Sequence, residues 1–303
     1  MPRLIPRRDD GGMQDVTALL VSRFGPTARR WVADAPALAA RLAERWELRL
    51  GAMFANGASS LIWRCDCPDG TPAVLKLSPD HALVAGQLEM LRLFAPSGLV
   101  PAVLAAAPEA GAVVLTEIRP GTEAGDLPPD RLPRQWGALM SALHATPAPH
   151  DLTRDLRGRC DESFARIGRR LSEPLIGARI SPAMWQRAIE RCHRLLDTQS
   201  RPVVLHGDLH PGNVLDGGPG RGLMAIDPKA CLGDPCFDAV DYVVAGAGQE
   251  GIAARCARMA AACGLDGGRL SAWSQVIAPM AAIARLSDDD SGSTVDELLE
   301  FAR

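Results

Sequence analysis

Between Val203 and Pro228 the chain reads VVLHGDLHPGNVLDGGPGRGLMAIDP, and this run constrains the fold more than any other. It sets two histidines, three aspartates and an asparagine among turn-forming Gly and Pro, with an apolar run on either side. Gly207, Pro211 and Gly212 exclude a helix, so the polar groups sit on a loop between two strands. Three readings compete for them. They are a metal site on His206 and His210, a phosphoryl-transfer site on Asp208, Asn213 and Asp227, or a turn that is only structural.

Histidines four residues apart pair as ligands on a helix, which this stretch cannot form, so the zinc reading is weak. A structural turn explains each polar residue singly, but not the arrival of the whole group where two strands open. The phosphoryl-transfer reading uses all of them. His206-x-Asp208-x-x-x-x-Asn213 has the spacing of a kinase catalytic loop, in which the Asp accepts the hydroxyl proton and the Asn holds magnesium. Asp227 follows the short strand LMAI and supplies a second hard oxygen ligand beside Asn213.

Composition narrows the rest. At 303 residues, 47% apolar and 23% charged, the chain has the make-up of an ordinary globular protein. Its apolar runs fall short of the roughly 18 residues of a membrane span, and its start resembles no signal peptide, which predicts a cytoplasmic location and no membrane partner. Eight cysteines without zinc-finger spacing read as reduced, mostly buried thiols. The net charge of −3 divides into +4 over residues 1–205 and −7 over residues 206–303. That acidic end suggests a cationic partner and not nucleic acid, and nothing in the chain implies an obligate protein partner. Of 33 basic residues only Lys76 and Lys229 are lysine, which marks both as places where a compact ammonium is wanted.

Residues 31–45 show helical spacing, and strand-like segments follow around LRLGAMF, SLIWRCDC and PAVLKLS, with Pro68-Asp69-Gly70 as a turn. A helix is expected from about Asp80 to Phe94, then a hairpin across PEAG. From Arg119 the period is helical. Ser181 and Pro182 open one helix as N-cap and first residue, and further helices are expected near Phe237, Gly251, Leu270 and Val295, with Pro279 kinking the third of these. Trp185, Trp273 and Met184 read as core. The expected division is residues 1–118, β-rich and nucleotide-binding, and 119–303, mainly helical and carrying the catalytic loop, metal and substrate sites.

Lys76 falls on the third strand, where a kinase places the lysine that pairs the ATP phosphates and an acid of the next helix. Glu89 is the natural partner there. FANGASSLIW occupies the place of a phosphate-covering loop, but its single glycine, Gly57, departs from the Gly-rich pattern; backbone amides and the hydroxyls of Ser59 and Ser60 remain to bind phosphate. These residues, with LHGDLHPGNVL and the AIDP that follows, resemble the aminoglycoside phosphotransferase family over nearly the whole chain. HGDLHPGNVLDGG, AIDPKACLGDPCFD and LTEIRPGT resemble its streptomycin 6-phosphotransferase and hydroxyurea phosphotransferase branch. The resemblance implies an α+β, bilobal protein-kinase-like fold with a small antiparallel β N-lobe plus one helix and a larger, mainly helical C-lobe. It implies ATP and Mg2+ as cofactors, Asp208 as the catalytic residue, Asn213 and Asp227 as metal ligands, and Glu117 with Ile118 as the hinge for adenine. His206 and Asp234 would be structural, and His210 structural or near the metal.

A streptomycin-like acceptor carries guanidinium groups, so carboxylates should surround its hydroxyl. Asp234, Asp238 and Asp241 fall at helical spacing, and Asp288, Asp289, Asp290, Glu297 and Glu300 are further candidates. The sequence therefore predicts an ATP-dependent phosphotransferase that modifies a hydroxyl of a cationic antibiotic and confers resistance. A kinase of hydroxyurea or another small alcohol, and a regulatory pseudokinase, are the alternatives.

Overall fold

The computed structural model describes residues 10–54, 59–287 and 292–303. The described residues divide into two compact units, those within 1–92 and 101–118, and those within 93–100 and 119–303.

The first unit opens with α1 (Asp10–Phe24) and α2 (Ala28–Arg45), followed by β1 (Arg49–Met53), β2 (Leu61–Asp66), β3 (Pro72–Leu77), α3 (His81–Phe94), β4 (Val103–Ala107) and β5 (Ala112–Thr116). The strands make one antiparallel sheet in the order β1-β2-β3-β5-β4. Alternation sorts the residues of β2 and β3 onto two faces. Leu61, Trp63, Cys65, Ala73, Leu75 and Leu77 bury one face against Val16, Leu20, Val32, Ala35, Ala39 and Leu42 of α1 and α2. Lys76 lies on the opposite face, paired in register with Ile62 and Val113. The Pro68–Gly70 turn is present, with Gly70 at φ +82° and Thr71 N–H donating to Asp69 Oδ1 at 2.9 Å.

α1 departs from the sequence expectation of a sheet with one helix besides the 31–45 segment. Two glycines and three β-branched residues in DGGMQDVTALLVSRF give it weak intrinsic propensity. It is held by tertiary burial of Val16 and Leu20 under the sheet, which no local pattern announces.

The second unit contains α4 (Leu132–His144), α5 (Leu156–Gly168), α6 (Pro174–Gly177) and α7 (Pro182–Asp197). Four short strands follow, β6 (Val203–Leu205), β7 (Val214–Asp216), β8 (Leu223–Ala225) and β9 (Cys231–Gly233), and then α8 (Phe237–Val244), α9 (Ile252–Cys263), α10 (Gly267–Ser287) and α11 (Ser293–Phe301). Ser181 caps α7 as expected, its hydroxyl accepting from Met184 N–H at 3.2 Å with Pro182 at the first turn. α10 continues through Pro279 to Ser287. The 203–228 run holds three strands where two were expected, and β6 pairs with β9 while β7 pairs with β8. Trp273 packs on Phe237 and Trp185 on Phe164, which places both predicted core aromatics in the core, while Met184 is half-buried. No helix among the described residues is long and apolar enough to cross a membrane.

Leu75 of β3, fully buried between the sheet and the two N-terminal helices, tests this packing. Leu75→Ala should lower stability by about 2–5 kcal/mol in urea denaturation, the cost of a cavity that a sheet and two helices cannot collapse.

Candidate active site

The β7–β8 hairpin pairs Val214 with Ala225, and Ile226 N–H donates to the Asn213 carbonyl at 2.9 Å. The open end of this hairpin therefore brings together Asn213, just before β7, and Asp227, two residues after β8. Asp227 has φ +55°, a left-handed backbone that Asp tolerates better than most residues. Lys229 N–H then donates to the His206 carbonyl at 2.8 Å, which ties the stretch after Asp227 back to the end of β6.

The loop from His206 to Asn213 is anchored from below. Asp238, at the start of α8 and 2% exposed, accepts from the amides of His206 and Gly207, both at 2.8 Å, and from His144 Nε2 at 2.9 Å. Gly207 has φ +79°, and a Cβ there would stand 2.4 Å from the Lys229 carbonyl oxygen, so only glycine fits. His206 is fully buried; its Nε2–H donates to the Ile226 carbonyl at 3.0 Å and its Nδ1 accepts from Asp208 N–H at 3.3 Å. Burial lowers its pKa, which agrees with the neutral ring this pattern requires. With both nitrogens engaged His206 is structural, as expected. His210 Nδ1 accepts from Gly212 N–H and caps the short turn Pro211–Asn213, which weighs further against a histidine metal site.

Asp208 projects from this loop with its side chain 22% exposed. Its Oδ2 accepts from Lys229 Nζ at 2.6 Å and Asn213 Nδ2 at 3.2 Å, and its Oδ1 from Arg159 of α5 at 3.3 Å. Burial raises its pKa, but Lys229 and Arg159 outweigh burial and hold the carboxyl below its usual range. The carboxylate is thus ionised at neutral pH. Among the described residues Oδ2 has both lone pairs occupied, and Oδ1 has one left for an incoming donor.

Arg159 escaped the sequence reading, because one arginine carries no signal in a chain with 31 of them. Lys229 did stand out by its rarity, though its partner Asp208 is set only by the fold.

Asn213 also donates through Nδ2 to the Asp208 carbonyl at 2.9 Å, so the nitrogen side of its amide faces Asp208. Its amide oxygen and the Asp227 carboxylate are hard donors on one hairpin end, the donor chemistry that magnesium accepts. They fit the expected cation.

In the first unit, Lys76 on β3 is 4% exposed. Glu89, expected to pair with it, is exposed on α3 and makes no bond to it among the described residues; the polar residue this helix buries is Gln87, two residues earlier. Helical phase decides this, since positions 87 and 89 lie about 200° apart around the axis. Glu117 Oε1 accepts from Arg64 Nε at 2.9 Å, and Arg64 also covers the Phe54 ring. Ile118 is buried. Ser60 is buried, and the Ser59 carbonyl accepts from the Ser78 hydroxyl at 2.8 Å. Gly57 and Asn56 lie outside the described residues.

Several carboxylates expected to hold substrate serve the fold instead. Asp234 accepts from Cys236 N–H, Trp273 Nε1 at 2.7 Å and Arg269, and Asp238 holds the loop. Glu297 accepts from Gly248 N–H at 2.8 Å and Ile252 N–H at 2.7 Å, joining α11 to the start of α9. Helical spacing put Asp234, Asp238 and Asp241 on one face, but Asp234 precedes α8 and turns into the core. Glu300 is exposed, and Asp288, Asp289 and Asp290 lie outside the described residues.

A sequence profile of the phosphotransferase enzyme family matches residues 51–275, most of the chain and all of the loop just described. The chain belongs to this family. It is 32% identical to the streptomycin 6-kinase of Streptomyces griseus over 218 residues, 71% of this chain and 68% of the relative. To the hydroxyurea phosphotransferase of Kitasatospora aureofaciens it is 29% identical over 270 residues, 87% of this chain and 78% of that one. Among solved structures, macrolide 2'-phosphotransferase type I superposes with a TM-score of 0.57 at 21% identity, covering 89% of this chain and 97% of that structure. The α+β, protein-kinase-like class expected from the sequence is therefore the class of this family member.

Asp238 is the sharpest structural test of this site. Asp238→Ala leaves two buried amides and His144 without an acceptor, at about 1–3 kcal/mol for each group left unsatisfied, so the urea midpoint should fall well below wild type. Although burial raises its pKa, the bonds from His144 and the Gly207 amide outweigh burial and hold it below the usual carboxylate range. A depressed folded pKa gives stability that is complete above the unfolded value and is lost as pH falls through the folded one. The acid-limb loss of stability should accordingly be shallower in Asp238→Asn than in wild type.

Proposed function

We propose that this family member is a Mg-ATP-dependent O-phosphotransferase acting in the cytoplasm on a hydroxyl of a cationic aminoglycoside. The acceptor we favour is streptomycin at the 6-hydroxyl of streptidine, and the effect is resistance. What carries the reading is the state of Asp208, an ionised and partly exposed carboxylate with one lone pair open on Oδ1, beside the oxygen donors of Asn213 and Asp227. Likeness to a streptomycin 6-kinase over 71% of the chain supports the choice of acceptor.

In this reading the acceptor hydroxyl donates to Oδ1 of Asp208, which orients its oxygen for in-line attack on the γ-phosphoryl of ATP. Asp208 paired with Lys229 and Arg159 is a weak base, so it aims the hydroxyl and takes its proton late. That suits a loose transition state, in which positioning and charge neutralisation supply most of the rate. Asn213 and Asp227 would hold magnesium, which when bound neutralises charge on the phosphates. Lys76 would pair the phosphates, the amides around Ser59 and Ser60 would cover them, and the backbone of Glu117 and Ile118 would bind adenine. Residues 1–118 would then be the nucleotide-binding part and 119–303 the catalytic part. The hydroxyurea phosphotransferase relative, matched over 87% of the chain, favours hydroxyurea as the second acceptor to try.

ADP release by the purified protein with Mg-ATP tests the reading against streptomycin, hydroxyurea, a deoxystreptamine aminoglycoside and no acceptor. Streptomycin should give the acceptor-dependent rate, and Asp208→Asn should reduce it by about 10²–10⁴-fold. Undiminished turnover in that variant would refute the role of Asp208, and a rate with hydroxyurea alone would move the acceptor to the second reading.

A further inference from the structure

Among the carboxylates predicted to hold substrate, Asp241 alone is half-buried in α8 with no hydrogen-bond or ion-pair partner among the described residues. It lies one turn after Asp238 on the same side of the helix, and Asp238 holds the amides of His206 and Gly207, so this face of α8 abuts the start of the catalytic loop. Arg159 passes the same place, its Nε 3.7 Å from where a Gly207 Cβ would stand, on its way to Asp208.

The charges acting on Asp241 come from Asp208 of the loop, Arg159 of α5, Asp238 of its own helix and Lys229. Arg159 and Lys229 are both spent on Asp208 and form no ion pair with Asp241. Burial first, and then the Asp208 carboxylate, push the Asp241 carboxyl up to about 7. A carboxyl held in this way is a cost to the fold, because burying a charge without a partner is unfavourable. It has no structural task that would offset the cost, unlike Asp234, Asp238 and Glu297. A perturbed carboxyl without a partner beside a reacting group is a candidate ligand contact.

We propose that Asp241 binds a guanidinium or ammonium group of the acceptor and so fixes the acceptor hydroxyl against Asp208. A guanidinium fits best, because its planar fork donates two parallel bonds to one carboxylate. The assignment rests on the phosphotransferase reading for the hydroxyl, though not for the cation.

The test is calorimetric titration of streptidine, a bis-guanidinium cyclitol, into the full chain with Mg-ADP, with myo-inositol as the uncharged comparison. Wild type should bind streptidine and discriminate against myo-inositol. Asp241→Asn should weaken streptidine by about 10–100-fold, where tenfold is about 1.4 kcal/mol, and leave myo-inositol and Mg-ADP unchanged. Asp241→Glu should recover part of the loss, and the thermal midpoint of Asp241→Asn should not fall, since no protein contact is removed. With streptomycin as acceptor, the same variant should raise the acceptor KM and leave the ATP KM in place. Equal streptidine affinity in wild type and Asp241→Asn overturns the assignment, as does a wild type that binds no streptidine. Asp241-dependent binding without acceptor-dependent ADP release would uphold the cation site and defeat the phosphotransfer reading of the same loop.

Discussion

Everything at the candidate site hangs on the Asp238 carboxylate. Three donors converge on it, the amides of His206 and Gly207 and the ring of His144, and together they fix where β6 ends and in which direction the loop leaves. Its burial would be prohibitive without them, since an unpaired buried charge costs several kcal/mol. With them, the first residues of the loop have almost no freedom. Gly207 then turns through a conformation open only to glycine, His206 locks Asp208 N–H and the Ile226 carbonyl with its two nitrogens, and Asp208 emerges at a fixed angle.

Electrostatics decide what that carboxylate can do. A free aspartate on a loop is a modest base, and one paired with both an ammonium and a guanidinium is a poorer one. The same two cations make the immediate group at Asp208 net positive, so a cationic acceptor has to find its counter-charge elsewhere. Asp241 meets that need, because Asp234, Asp238 and Glu297 are occupied by amides, a histidine, an indole and an arginine. Part of the acidic excess over residues 206–303 is thus architectural, and its bulk charge says little about which residue meets a ligand.

Legibility in the sequence followed the range of the interactions. The cap of α7, the Pro68–Gly70 turn and the hairpin between β4 and β5 depend on residues within a few positions of each other, and all were readable. The 206–213 loop and Asp227 were readable for a related reason: one hairpin joins them, so their spacing is their geometry. α1 was not, because Val16 and Leu20 are held by a sheet that follows them in the chain. Glu89 misled because acid content was weighed without helical phase, and Asp234 because spacing was extended past the end of a helix.

The sequence by itself determined the family, the loop that carries Asp208 and Asn213, the hairpin that returns Asp227, and the rarity of Lys229. These are local patterns, written in turn formers and periodicity, and a single strand-loop-strand segment suffices to express them. Only the tertiary structure decided which carboxylates are spent and which remains. Arg159 reaches Asp208 from 49 residues away, and Trp273 reaches Asp234 from 39. Such pairings depend on which helices pack together, and burial, which assigns each acid its cost and its partner, exists only once they have.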